Sequence, residues 1–305
     1  MKITLKKKLK NPKVSVIINC YNGEEYLKDA INSVYAQTYK NWEIIFWDNA
    51  SIDSSEKIAK SFDSKLLYFK GKENIPLYAA RNKAIEKSTG TLIAFLDCDD
   101  WWNKDKLTYQ VKEFERKEIG FCFSDYWIEN QLNGKRKLCR QKFTSSEFIL
   151  DDLLKHYTVG ILTLMVRKST LDKLEYLFNP TFNIIGDFDL VLRLSAISKA
   201  SYLRKELAHY RKHSSNLFIK KPMRNISELE TWHQDIKKDV TISNSKEFYN
   251  IPIIIHYSKT MHLMKNKQKK EALRGLLKIP INRKEFLRLV MVFFLPKVVI
   301  DYLAR

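Results

Sequence analysis

The stretch VSVIINC, Val14 to Cys20, decides how the rest of the chain is read. It is a short, almost unbroken apolar run rich in β-branched residues, the pattern of a strand buried on both faces of a parallel sheet. A helix should follow, with Asn22 as its N-cap, Glu24 and Glu25 in the first turn, and Leu27, Ala30, Ile31, Val34 and Tyr35 at helical spacing. The unit then recurs. WEIIFW (Trp42–Trp47), LLYF (Leu66–Phe69) and TLIAFL (Thr91–Leu96) read as further strands, with helices around Glu56–Phe62 and Ala79–Lys87 between them. Strands and helices alternating over about a hundred residues predict an open α/β sheet with right-handed crossovers, whose ligands bind at the carboxyl ends of the strands.

Past Trp102 the order loosens. The pattern predicts a helix near Lys104–Arg116, a strand over GFCFSDYWI, a helix near Ser146–Lys155, a strand over ILTLMV (Ile161–Val166) and a helix opening at GDFDL (Gly186–Leu190). From about Ser227 the reading is all helical. The 305 residues, 45% hydrophobic and 12% aromatic, suffice for one large domain or a domain with a smaller companion. A net charge of +19 favours an anionic partner: nucleic acid, a phospholipid surface or a phosphate-bearing substrate.

The four cysteines, Cys20, Cys98, Cys122 and Cys139, form no Cys-x-x-Cys pair and are too sparse for a disulfide-stapled fold, so they read as reduced thiols of a cytosolic protein. The N-terminal MKITLKKKLKNPK lacks the apolar core of a signal peptide. The best apolar window, LVMVFFLP at Leu289–Pro296, falls short of the roughly 18 residues of a membrane span.

The predicted strand ends deliver the chemistry. Tyr21 and Asn22 follow the first, Asp48 to Asp53 the second, and Asp97-Cys98-Asp99-Asp100 the fourth, while Arg81 sits in the helix after the third. Each has a purely structural reading: Asn22 and Ser51 as caps, Arg81 in a surface ion pair, Asp100 as a dipole partner of the next helix. Together they make a crevice. Three carboxylates in four positions repel one another unless a cation holds them, and Asp97 with Asp99 can ligate a hard divalent ion that bridges to a diphosphate. Neutralising a leaving diphosphate is work such an ion does well. No glycine-rich phosphate loop offers a substitute, which weakens dehydrogenase and P-loop readings.

VSVIINCYNGEEYLKDAINSVYAQTYKNWEIIFWDNASIDSS, AARNKAIEKSTGTLIAFLDCDD and GDFDLVLRL, in this order, resemble the family 2 glycosyltransferases, over about the first 215 residues. The resemblance implies a GT-A fold, an open, mostly parallel sheet flanked by helices, in a catalytic domain over 1–220. Its nucleotide-binding part would cover about 12–102 and its acceptor-binding part about 103–220. It also implies roles. Tyr21, Asn22 and Cys98 would lie by the nucleotide sugar, Asp48 would accept from the base, and Arg81 would brace the diphosphate side. Asp97 and Asp99 match the Asp-x-Asp motif, with Asp99 the direct ligand of Mn²⁺ or Mg²⁺ and Asp97 nearer the ribose and metal waters. Asp187 falls where the family has its general base, with Asp189 second in line; the family's usual Glu is Gly186 here. His213 resembles a histidine that some members place on the metal or diphosphate, with Arg211 or Lys212 as alternative phosphate holders. Trp101 and Trp102 are candidates to stack on an acceptor sugar, alongside Asp189.

The last stretch, 221–305, needs its own account. Lys269, Lys270, Arg274, Lys278, Arg283, Lys284 and Arg288 interleave with Leu276, Leu277, Phe286, Leu287, Leu289, Val290, Phe293 and Phe294. That suits helices lying on an anionic bilayer, or helices packed on the catalytic domain or on a second copy. No nucleic-acid-binding signature accompanies the charge. The expectation is an inverting, metal-dependent hexosyl- or N-acetylhexosaminyltransferase. It would move a sugar from a nucleotide diphosphate donor, a UDP-sugar, to a glycan or lipid-linked acceptor in surface polysaccharide or lipopolysaccharide synthesis, at the inner face of the cell membrane. A nucleotidyltransferase with a similar carboxylate site, and a binding module without turnover, are the competing readings.

Overall fold

The structure, a computed structural model, describes residues 11–140, 147–216, 221–266 and 268–294. They form two compact units. The first takes in the described residues up to Leu150 together with Tyr157–Ser214; the second takes in Asp151–His156 and the described residues from Ser215 onward.

In the first unit, β1 (Val14–Cys20) is buried at every position, as its unbroken apolar run requires. It lies between β2 (Trp42–Asp48) and β4 (Leu92–Asp97), parallel to both, with β3 (Leu66–Lys70) parallel on the far side of β2. The helices between them are α1 (Leu27–Tyr35), α2 (Ser55–Ala59) and α3 (Leu77–Glu86). The chain leaves β1 toward β2 and β3 and returns on its other side as β4, so a crevice opens at the carboxyl ends where the order reverses. Asn19 pairs in register with both Trp47 and Asp97, which brings the three strand ends level.

The second half of the sheet is mixed. After β5 (Trp101–Trp102) and α4 (Lys106–Glu113) come the long β6 (Ile119–Asn130) and β7 (Lys135–Cys139). Helix α5 (Leu150–Lys155) lies in the second unit apart from its first residue. Then follow β8 (Met165–Arg167), α6 (Lys168–Leu171), α7 (Gly186–Ile197) and β9 (Lys199–Lys212). The order β3-β2-β1-β4-β8-β6-β9-β5 continues the parallel half through β8, antiparallel to both neighbours, while β6 and β9 run parallel.

The predicted strand over Ile161–Val166 is only half a strand. Ile161–Thr163 is a 3₁₀ turn, because the Trp102 indole donates to the Leu162 carbonyl (2.8 Å) and the Gln110 amide to the Thr163 carbonyl (2.7 Å), side-chain bonds that replace a ladder. Ser146, where the helix predicted before that strand begins, lies outside the described residues.

The second unit is helical, as its pattern predicts: α8 (Pro222–Asp235), α9 (Val240–Ser243), α10 (Ile251–Lys265), α11 (Lys269–Leu276) and α12 (Lys284–Phe293). Met264, Ala272, Leu276, Ile279, Leu289 and Val292 gather into its core. No described helix is long and apolar enough to cross a membrane.

Candidate active site

The loops after β1 and β2 are laced together. Asn22 is not a helix cap: α1 starts only at Leu27, and Asn22 adopts φ 52°, its side chain accepting from the Ile52 N–H at 2.9 Å. In return the Ser51 hydroxyl accepts from the Asn22 N–H, Ser55 from Gly23 and Asp53 from Glu24, each at 3.0 Å. Ala50 also has positive φ, at 65°, so the crevice edge is held in a conformation that costs on the order of 1 kcal/mol at a non-glycine residue. Tyr21 stands half exposed at this edge. Asp48 is fully buried, its two oxygens accepting from the Ser51 N–H and the Tyr68 hydroxyl, both at 2.7 Å. A direct bond to a base would require exchanging one of those contacts.

At the end of β4 the three carboxylates are reconciled by three different neighbours. Asp97 is ion-paired with the buried guanidinium of Arg81. Asp99 Oδ2 lies 2.9 Å from His213 Nε2. Asp100 is buried, with Oδ1 accepting from the Arg211 N–H at 2.8 Å; burial and its acidic neighbours push its carboxyl well above the usual range. Arg211 clamps the turn from the other side, donating to the Asp99 carbonyl at 2.8 Å. It serves the loop's backbone and not, in this arrangement, as a free phosphate holder. Cys98 points the other way, into the core, where its thiol and that of Cys20 flank Gly23; a Cβ there would meet the two sulfurs at 2.9 and 2.7 Å.

The donor set suits a hard divalent ion. Asp99 and His213 would supply one oxygen and one nitrogen ligand, while Asp97 is turned to Arg81. Among the described residues no cluster of three or more His, Cys, Asp or Glu side chains forms a cage. The pair fits Mn²⁺ or Mg²⁺ taking its remaining ligands from diphosphate and water.

Asp187 opens α7. Its Oδ1 accepts from the Phe188 N–H at 2.8 Å and faces the Tyr78 hydroxyl at 3.3 Å. Burial pushes its carboxyl up to about 6, against the pull of Arg81, which puts it in the range of a general base at neutral pH. Two acceptor-side expectations are overturned. Asp189 is fully buried and gripped by Arg193, whose Nη2 lies 2.6 Å from its Oδ2, so it is neither an acceptor ligand nor a second base. Trp102 is a core residue with its indole bonded inside. Trp101 remains partly exposed, stacked on His209 at 4.9 Å with the Arg211 guanidinium 4.5 Å from its ring. The sequence reading missed Tyr78, Tyr126 and Tyr157, whose hydroxyl groups lie within electrostatic range of Asp187.

Comparison with known proteins bears on the family and the fold. Residues 15–172 match the family model described as Glycosyl transferase family 2. A glycosyltransferase named for teichuronic acid biosynthesis, TuaG of Bacillus subtilis (strain 168), is 32% identical over 206 residues, covering 66% of this chain and 79% of its own. The UDP-Glc:alpha-D-GlcNAc-diphosphoundecaprenol beta-1,3-glucosyltransferase WfgD of Escherichia coli is 33% identical over 168 residues, 54% of this chain and 64% of its own. In fold, the chain matches S. aureus TarS 1-349, solved in complex with UDP-GlcNAc, with a TM-score of 0.68 at 18% identity over 88% of this chain and 82% of that one.

Proposed function

Since the chain belongs to glycosyl transferase family 2, we propose that it is an inverting enzyme that carries a hexosyl or N-acetylhexosaminyl group from a UDP-linked donor to a hydroxyl of a lipid-linked glycan. The observation that carries this reading is the half-buried Asp187 carboxylate at the start of α7, in the same unit as the Asp99–His213 pair and the Arg81–Asp97 pair at the strand ends. WfgD's name, with its UDP-Glc donor and diphosphoundecaprenol-linked acceptor, supports the substrate classes.

The chemistry follows from which atoms are committed. Oδ1 of Asp187 is occupied by the Phe188 N–H and the Tyr78 hydroxyl, leaving Oδ2 to take the proton of the acceptor hydroxyl as that oxygen attacks the sugar's anomeric carbon. The bond to the diphosphate breaks on the opposite face, so one displacement inverts the anomeric centre. Arg81 is buried and fixed on Asp97, which holds that carboxylate at the diphosphate side of the crevice. Asp99 and His213 would hold Mn²⁺ or Mg²⁺, which when bound would neutralise charge gathered by the departing diphosphate. The Asn22 and Ala50 loops frame the place of the nucleotide.

The second unit is the part proposed to meet an anionic membrane surface. Leu287 and Met291 of α12 and Phe294 at its C-cap are each more than half exposed and fall at i, i+4 and i+7, while Leu289 and Val292 of the helix are buried. Lys284 and Arg288 are interleaved with that apolar stripe.

Calorimetric titration with UDP, in Mn²⁺ and then in EDTA, followed by UDP release from UDP-glucose and UDP-GlcNAc with an undecaprenyl-diphosphate-linked GlcNAc acceptor, tests the reading. Metal-dependent binding and acceptor-dependent UDP release are expected; UDP binding with neither sugar consumed under any acceptor would leave a binding module.

A further inference from the structure

We propose that Tyr78 is the positioning residue of the Asp187 base, and that a glycine stands at position 186 because the Tyr78 ring occupies the space a side chain would need. This rests on the reading of Asp187 given above and adds to it the device that orients the carboxylate.

A side chain at 186 has no room. A Cβ built on Gly186 would meet Cδ2, Cγ and Cε2 of Tyr78 at 2.5, 2.5 and 2.6 Å, distances at which one of the two must move. The ring has nowhere to go. It is buried, it packs on Phe178 with centroids 5.0 Å apart, and the Arg81 guanidinium lies 4.9 Å from it. Helix α3, which carries it, is tied to the segment before α7 at its start and its middle: the Leu77 N–H donates to Asn183 Oδ1 at 3.2 Å, and Asn82 exchanges bonds of 2.8 and 3.0 Å with the Phe178 backbone. The carboxylate that the resemblance would place at 186 is thus replaced by an aromatic wall.

The polar end of that wall reaches the base. The Tyr78 hydroxyl lies 3.3 Å from Asp187 Oδ1 and 3.3 Å from the Ile184 carbonyl, and its single proton serves one of them at a time. Donation to the carboxylate favours its charged form and fixes Oδ1, so that Oδ2 presents toward the acceptor. The same helix carries Arg81 three residues on, so one rigid element sets both the diphosphate side and the base. The titratable or charged groups facing Asp187 are Tyr78 and Arg81 on α3, Asp97 on β4, Tyr126 on β6, Tyr210 on β9, and Tyr157. Of these, Tyr78 is hydrogen-bonded to it, which is why its removal is the informative change.

The test follows the Asp187 carboxyl itself. In protein labelled with carboxyl-¹³C aspartate, the Asp187 signal is identified by its loss in Asp187→Asn, and its titration is compared between wild type and Tyr78→Phe, which keeps the ring and deletes the hydroxyl. The midpoint should rise by about 1 unit, and kcat for UDP release from the active donor should fall about 10-fold with the donor KM unchanged. Gly186→Ala should lose kcat and thermal stability together; in a Tyr78→Ala background, itself destabilised by the cavity it leaves, Gly186→Ala should cost little further stability while kcat stays low, separating room from positioning. An unchanged midpoint in Tyr78→Phe, or kcat restored in the Gly186→Ala, Tyr78→Ala pair, overturns the proposal. Full turnover in Asp187→Asn would instead overturn the assignment of the base, whatever the midpoint does.

Discussion

His213 Nε2 lies 2.9 Å from Asp99 Oδ2, so the residue just past the last strand meets the turn after the fourth, side chain to side chain. If the pair holds the metal, His213→Ala weakens Mn²⁺-dependent UDP binding by about 10- to 100-fold, and Asp99→Ala abolishes the metal dependence. Calorimetry with and without EDTA reads both; UDP binding that ignores metal and both substitutions would remove the ion from the account.

Asp187 carries its own pH signature. With the folded carboxyl near 6, the proton-accepting form predominates at neutral pH and is lost as pH falls through that value, so kcat should drop about tenfold per unit below it. Asp187→Asn should cost about 10²- to 10⁴-fold in kcat and erase the acidic limb. A limb that persists in the variant belongs to another group.

Asp189 makes a different demand. Replacing it by Asn leaves the buried Arg193 without its counter-charge, and a loss of about 3–5 kcal/mol in stability is expected. Thermal unfolding should show it while the acceptor KM of the surviving enzyme stays within about twofold. A raised KM with unchanged melting would return Asp189 to the acceptor.

Lys106 is buried with its ammonium 4.1 Å from the Trp102 ring, and burial lowers it from 10.5 to about 7. The unfolded chain therefore keeps that proton between about pH 7 and 10 while the folded chain has released it, so stability rises with pH across the window. Lys106→Met should stabilise the protein by on the order of 1–4 kcal/mol at pH 7 and flatten the rise. Chemical denaturation at pH 7 and pH 9 compares the two slopes.

The exposed stripe on α12 can be tested without substrate. Flotation with vesicles containing phosphatidylglycerol should carry the wild type upward. Leu287→Ser, Met291→Ser and Phe294→Ser together should leave it at the bottom, and neutral phosphatidylcholine vesicles should bind neither. Equal flotation of both proteins would move the contact elsewhere.

How far the sequence could be read depended on whether a residue's fate is local. β1, β2 and β4 were legible because a run such as Val14–Cys20 has one comfortable environment, a strand covered on both faces. The site's outline followed, since strand ends in such a sheet converge. Trp102 was misread because a tryptophan after a turn looks the same whether it faces a sugar or the Leu162 carbonyl. Asp189 left a clue in Arg193 four residues on, a helical ion pair within an apolar stretch, and burial made that pair decisive. The Tyr78–Gly186 fit joins positions 108 residues apart and has no local signature.

The pairing of β6 with β9 also sets an order in time. Strands β1 to β4 can close on one another once the chain has been made as far as Asp97, but the bonds that Asp99 and Asp100 make to His213 and Arg211 wait for β9, more than a hundred residues later. During synthesis at about 5–20 residues per second, the half that frames the nucleotide therefore exists for several seconds before the residues that complete it leave the ribosome. A nascent chain stalled short of His213 should protect β1 to β4 from protease while failing to retain UDP on a Mn²⁺-loaded column.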